Sequence, residues 1–178
     1  MRSKSRSNVL VHMVDARQRF AALGIGVVAA SAGGLVLAAA EGTLAALPGL
    51  LLLVPGAIAL RGNIFGAMGS RLGTAVHAGT FRPTVRVDGV LGQNLLGAAA
   101  LSLVLSAVLG VFARGTAVLF GISPTMTLAE FVVVSTLGGL LASFLVGMVT
   151  VGLAAGSVRF GWDLDNVMAP LVSTLGDL

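Results

Sequence analysis

Three of the seven acidic residues of this chain stand in its last eighteen residues, GWDLDNVMAPLVSTLGDL, which are otherwise mostly apolar or small. Placed on a helix of 3.6 residues per turn, the polar residues of this segment share one face. That face carries Asn166, Pro170, Ser173, Thr174 and Asp177. Asp163 joins the same side if the helix begins early enough to include it. Carboxylate, amide and hydroxyl oxygens are hard ligands, so the segment is suited to Mg²⁺, Ca²⁺ or Mn²⁺.

A second polar stripe lies earlier in the chain, in residues 63–77. Like the stripe in the last segment, it follows helix-breaking residues. On a helix its members share one face: Asn63, Ser70, Arg71, Thr74 and His77. Two striped helices predict a lined pathway surrounded by less polar scaffold helices. A positive charge inside such a pathway would repel a cation, so we expect Arg71 to pair with a carboxylate or to lie near the cytoplasmic end. His77 is expected at the membrane interface.

Other site chemistries fit the sequence poorly. The chain has no cysteine and only two histidines, which argues against copper, zinc and disulfide chemistry. Its glycine-rich runs lack the Lys-Ser/Thr pair of a nucleotide-binding loop, so they are expected to be packing surfaces. We therefore expect a hard divalent cation, Mg²⁺, Ca²⁺ or Mn²⁺, as the transported ion and no organic cofactor. Five of the eleven basic residues precede residue 20, which indicates membrane topology, so no nucleic acid partner is expected.

The elements that position these residues must be membrane helices. Of 178 residues, 56% are hydrophobic and 10% are charged, whereas soluble domains carry roughly 25% charged residues. The apolar runs are unbroken, which favours helices over barrel strands. The fold class expected is all-α, a polytopic membrane protein with five transmembrane helices. Residues 1–19 would form a basic cytoplasmic arm, which could be an amphipathic helix lying along the interface, and residues 20–178 the membrane domain.

The expected spans are residues 20–40, 44–78, 91–113, 128–158 and a fifth from about residue 166. The second contains two prolines and a Gly-Asn pair, which predict a broken or strongly tilted helix. A loop is expected from Arg114 to Thr127. An inside N-terminus places eight Lys/Arg residues inside and one outside. The fifth helix would reach only ~20 Å at 1.5 Å per residue, so we expect that it starts earlier, ends within the membrane, or continues beyond a truncated end.

Two motifs resemble those of a known family. The stretch PGAIALRGNIFGAMGSRLGTAVHAG is similar to the second-helix signature of the MgtE-type magnesium transporters and their relatives in solute carrier family 41. The last eighteen residues, called the tail below, are similar to the fifth-helix motif of the same family, with Leu164 where the family often has proline. The resemblance implies a five-helix domain that works as a pair, with helices 2 and 5 of two subunits lining the pore. It implies that Asp177 is the central pore aspartate.

The residues expected to contact the ion are therefore in the tail and in the second helix: Asp177, Asp163, Asp165, Asn166, Asn63 and Thr174. Asp163 and Asp165 have an alternative role as N-terminal caps of the last helix, and Asn63 an alternative role in satisfying a broken backbone. Arg61 has no assigned role.

The leading hypothesis is a divalent cation transporter in the cell membrane, not an enzyme, acting as a homodimer or paired with a second homologous half. Two alternatives stay open. One is a non-transporting half-subunit that needs a different partner chain. The other is an intramembrane, metal-dependent enzyme acting on lipid phosphates.

Overall fold

The computed structural model describes residues 2–122, 126–161, 171–172 and 174, with side chains from residue 16 onward. Within these residues all regular structure is helical, as the composition predicts. There are five helices in the order α1 (Arg2–Ala39), α2 (Glu41–Ala46), α3 (Pro48–His77), α4 (Val90–Leu119) and α5 (Leu128–Phe160). Four of them contain stretches long and apolar enough to cross a membrane: Ala16–Ala39 of α1, and α3, α4 and α5 in full. The chain is therefore a multi-pass membrane protein.

The N-terminal arm differs from its predicted form. Helix α1 runs without interruption from Arg2 into the first span, so the arm is neither extended nor a separate helix. The physical reason is that residues 1–19 contain no proline and no glycine, and these are the residues that most readily end a helix. The basic residues of the arm are thus a continuation of the helix that enters the membrane.

The interruption predicted in the second span is present at the first of its two prolines. It falls at Leu47, between the short α2 and the long α3. Pro48 occupies the first turn of α3, where its missing N–H costs nothing. Helix α3 then continues through Pro55 and through the Gly62–Asn63 pair. The prediction of a break at those positions was wrong, because membrane helices can accommodate an internal proline when neighbouring groups compensate the lost backbone bond.

Helix α4 is longer than predicted and the loop after it is shorter. The helix includes Arg114 and ends at Leu119, although a loop was expected from Arg114 onward. The end is set by Gly121, whose φ of 68° is left-handed. Its N–H donates to the Val118 carbonyl at 3.2 Å, and the Ile122 N–H donates to the Ala117 carbonyl at 2.9 Å. These two bonds satisfy carbonyls that the helix end leaves free.

Helix α5 matches its predicted span of 128–158 closely. It begins with a capping box in which the Thr127 hydroxyl accepts from the Glu130 N–H at 3.3 Å. The Glu130 carboxylate accepts in return from the Thr127 N–H at 2.6 Å. Each side chain satisfies a backbone N–H that the helix start leaves unpaired. The Glu130 side chain is therefore used to cap the start of α5.

Helices α4 and α5 meet along a seam of small residues. Every fourth residue contributes to it: Ala98, Ser102, Ser106 and Gly110 on α4, and Ser135, Gly139, Ser143 and Gly147 on α5. Two hydroxyls bond across it, from Ser143 to the Ser102 Oγ at 2.7 Å and from Ser135 to the Ser106 carbonyl at 2.7 Å. Small residues allow this close approach, and the hydroxyl bonds hold the two helices in register.

Helix α3 packs its apolar face on this pair. The shared core contains residues from α3, α4 and α5 and one residue from the tail, Val172. Leu72 of α3 and Val172 are completely buried. A second, smaller cluster forms where the Phe131 ring of α5 lies against Gly49 near the start of α3. These contacts fix which face of α3 points away from the bundle.

The seam gives a testable prediction at Gly110. A Cβ there would lie 2.7 Å from the Val132 Cα and 2.9 Å from the Phe131 carbonyl oxygen, both backbone atoms that cannot move aside. We expect Gly110→Ala to destabilise the protein by about 1–3 kcal/mol, measured as thermal unfolding in detergent by circular dichroism. Gly97→Ala on the same helix meets nothing within 4 Å and should be neutral or slightly stabilising. Equal melting temperatures for the two variants would contradict the close approach.

Candidate cation pathway

The polar stripe of α3 is turned outward along the second half of the helix, residues 63–77. Its five residues are all exposed: Asn63, Ser70, Arg71, Thr74 and His77. The opposite face is buried against α4 and α5 through residues that include Phe65, Met68 and Leu72. Helix α3 is therefore divided lengthwise into a packed apolar face and an exposed polar face.

The hydrogen bonds of this polar face are local. The Thr74 hydroxyl donates to the Ser70 carbonyl at 3.0 Å, which leaves its oxygen able to accept from outside. The His77 Nδ1 donates to the Gly73 carbonyl at 2.9 Å. No hydrogen bond to Asn63 and no ion pair to Arg71 is found among the described residues. Oxygen atoms along this face are thus available to water or to a hydrated ion.

A polar face of this kind is unfavourable against lipid. Intramembrane polar groups nearly always face protein or a water-filled cavity. The exposed face of α3 therefore needs a covering that one copy of the described residues does not provide, and water together with a second protein surface would supply it.

Most of the predicted site lies beyond the described residues. That is the case for Asp163, Asp165, Asn166 and Asp177, whose predicted roles remain predictions. Thr174 is described: a Cβ on Gly26 of α1 would lie 2.8 Å from its hydroxyl oxygen. Leu171 and Val172 are buried. Residues 171, 172 and 174 therefore lie between α1 and the core formed by α3, α4 and α5.

The described acidic residues do not form a metal centre. Within the described part of the chain, no group of three or more His, Cys, Asp or Glu side chains is close enough to hold an ion. Asp88 pairs with Arg86 in the exposed loop after α3, through Nε–Oδ1 and Nη2–Oδ2 contacts of 3.1 and 3.2 Å. Asn63 of α3 and Thr174 of the tail are the two predicted ligands that the structure describes. Any ion on the α3 face would be bound by neutral oxygens and water, with carboxylates supplied from elsewhere.

Two features escaped the sequence analysis. The first is the serine seam of α4 and α5, whose signal is the four-residue spacing of small residues in both spans. The second is Arg61. It lies two residues before Asn63, about 200° around the helix, and its Nη2 donates to the Gly138 carbonyl of α5 at 3.2 Å. Counting that angle would have placed Arg61 away from the polar face.

Comparison with known proteins identifies the class. The family model of the MgtE divalent cation transporters matches residues 54–178, from the second turn of α3 onward. The chain belongs to this family, which consists of transporters rather than enzymes; the expectation that it is not an enzyme is confirmed, and the lipid-phosphate alternative is not supported.

Similar curated proteins support the same family assignment. The chain is 31% identical to Solute carrier family 41 member 2 of Mus musculus and of Homo sapiens, and 32% identical to that of Xenopus laevis. Each match covers 126 residues, 68% of this chain. The chain spans only about a fifth of the length of these relatives, 21–22%. No solved structure matches.

The orientation of α3 can be tested with single cysteines, because the chain has none of its own. Ala67 lies on the polar face of α3, whereas Val104 lies on α4, 57% exposed. We expect Ala67→Cys to react with a charged, membrane-impermeant thiol reagent about tenfold faster than Val104→Cys, since reaction needs water and a thiolate. Added Mg²⁺ should slow labelling at residue 67 only. Equal rates at both positions would mean that the polar face is not wet.

Proposed function

We propose that this chain carries divalent cations, chiefly Mg²⁺, across the membrane through a pore lined by α3 and the tail segment of two subunits. The observation that carries the proposal is the exposed polar face of α3 on a helix whose other face is packed. Membership of the divalent cation transporter family supplies the class of substrate.

The chemistry of the α3 face suits Mg²⁺. This ion gives up its water reluctantly and usually keeps several water ligands, so it needs few direct protein ligands. Asn63 and Thr74 supply neutral oxygens that can bond to that hydration shell. Asp177 would provide the negative charge, with Asp163, Asp165 and Asn166 near the mouth and Thr174 on the same segment.

Two copies are part of the proposal. One α3 face cannot surround an ion by itself, whereas two such faces related by a two-fold axis can enclose a hydrated one. In the proposed orientation the N-terminus is cytoplasmic. The loop 78–89 with Arg82 and Arg86, and the α5 end with Arg159, then lie inside, in agreement with the positive-inside rule. Arg71 lies in the last two turns of α3, close to that inner end.

The second candidate is a half-subunit that requires a different chain. The observation in its favour is that the matched segment makes up only about a fifth of the length of these relatives. In that case the α3 face would be covered by a partner of different sequence.

Transport is tested by Mg²⁺ uptake into liposomes containing the purified chain. Asp177→Asn removes the proposed charge in the pathway and should abolish uptake, and Asn63→Ala should reduce it about tenfold. The matched control is Asn94→Ala on α4, because the Asn94 amide donates to the Val90 carbonyl of its own helix at 2.8 Å and is not part of the pathway. Full uptake by the Asp177→Asn variant would remove Asp177 from the pathway, and equal losses in all three variants would indicate unfolding instead.

The subunit arrangement is tested by native mass spectrometry of the detergent-solubilised chain. We expect a species of twice the 17.8 kDa chain mass, because two polar α3 faces are stabilised by covering each other. Ala67→Leu, which places a bulky apolar group on that face, should shift the population toward monomer, whereas Val104→Leu on α4 should leave it unchanged. A wild-type monomer that shows no Mg²⁺ uptake would favour the half-subunit hypothesis.

A further inference from the structure

Arg61 is a cation within a membrane-spanning helix that the proposed pathway does not use. Its guanidinium makes one hydrogen bond, from Nη2 to the Gly138 carbonyl at 3.2 Å. Its Nε is buried and has no hydrogen-bond partner. A guanidinium offers five N–H donors, and Arg61 as a whole is partly buried. The arrangement in the described residues is therefore incomplete.

No described carboxylate completes it. Asp88 is paired with Arg86 and Glu130 caps α5. Glu41 of α2 is exposed and forms no ion pair with Arg61. None of the described carboxylates therefore neutralises Arg61.

Arg61 lies on the wall of a cavity of about 440 Å³ between α1, α2, α3 and α5. The other walls are almost entirely apolar, with Leu37, Leu44, Leu53 and Ile58 among them. Such a volume is in the range that holds a small organic ligand. The cavity combines one cation with apolar walls, which is the complement of a molecule with one negative group and an apolar body.

The cavity lies beside the most loosely packed of the described helices. Helix α1 approaches α2 closely but not α3, α4 or α5. Most apolar residues of α1 are exposed, including Leu35 and Val36. An exposed apolar helix of this kind is expected to lie against lipid, which brings acyl chains to the α1 side of the cavity.

We propose that this cavity binds an anionic phospholipid of the surrounding bilayer, whose phosphate oxygens accept hydrogen bonds from Arg61 Nε and Nη while an acyl chain lies between α1 and α3. The site is separate from the proposed pathway, because Arg61 and Asn63 point to different sides of α3. The lipid would join α1 to the rest of the bundle and neutralise the guanidinium.

The test is lipid retention by the purified protein, measured by native mass spectrometry after stripping and after titration with phosphatidylglycerol, oleate or phosphatidylcholine. The wild type should bind one phosphatidylglycerol per chain about tenfold more tightly than phosphatidylcholine. Arg61→Gln should abolish this preference. Arg71→Gln is the matched control, since Arg71 lies on the same helix, exposed and without an ion pair in the described residues, and it should bind lipid as the wild type does.

A second variant tests the proposal independently in case Arg61→Gln does not fold. Gly34→Leu adds a side chain from α1 into the cavity, where nothing lies within 4 Å of a Cβ, and leaves Arg61 in place. It should also lose the bound lipid, with its melting temperature maintained.

Equal affinity of the wild type for neutral and anionic lipids, or unchanged retention in both variants, would overturn the proposal. Tight binding of oleate but not of phosphatidylglycerol would also overturn it as a phospholipid site and assign the cavity to a fatty acid carboxylate. None of these outcomes depends on Mg²⁺ flux, so the proposal and the transport function can fail independently.

Discussion

The backbone contact between α4 and α5 is the constraint on which the rest of the described structure depends. Gly110 lies against the backbone of α5, and Gly139 lies against the Ser106 side chain. No larger residue fits at either point without moving a helix. The two helices then form a single surface, on which the apolar face of α3 packs through Phe65 and Leu72. Because that surface accepts only one face of α3, it also determines which residues of α3 point away from the bundle.

Helix α3 keeps the guanidinium of Arg61 apart from the polar face. Asn63, Arg71 and Thr74 are exposed on that face, whereas Arg61 is directed toward α5. A cation moving along the polar face would therefore meet the Arg61 charge only across the width of the helix. The separation needs no additional element, since a displacement of two residues along a helix turns a side chain by about 200°.

Much of this architecture could be predicted from the sequence, because long apolar runs and the 3.6-residue period follow directly from the demands of the bilayer. The span of α5, the shared face of Asn63 and Thr74, and the family were all evident. The helix boundaries were harder to predict from the sequence. Pro55 and Gly62 predicted a break that tertiary packing does not allow, and Arg114 was taken as a loop residue although a helix end can accommodate an arginine. The seam of α4 and α5 depends on contacts between residues such as Ser102 and Ser143, which the pattern of a single span does not reveal.

The lengthwise division of α3 also has a consequence for biogenesis. Of the four candidate spans it is the least hydrophobic, and it contains two arginines, each unfavourable for insertion near the centre of a helix. Helices α4 and α5 are more apolar and can partition into lipid without the help of another helix. Helix α3 is therefore expected to remain beside the insertion machinery until the α4–α5 pair has been synthesised and can receive its apolar face. The order of synthesis along the chain and the order of stable integration would then differ.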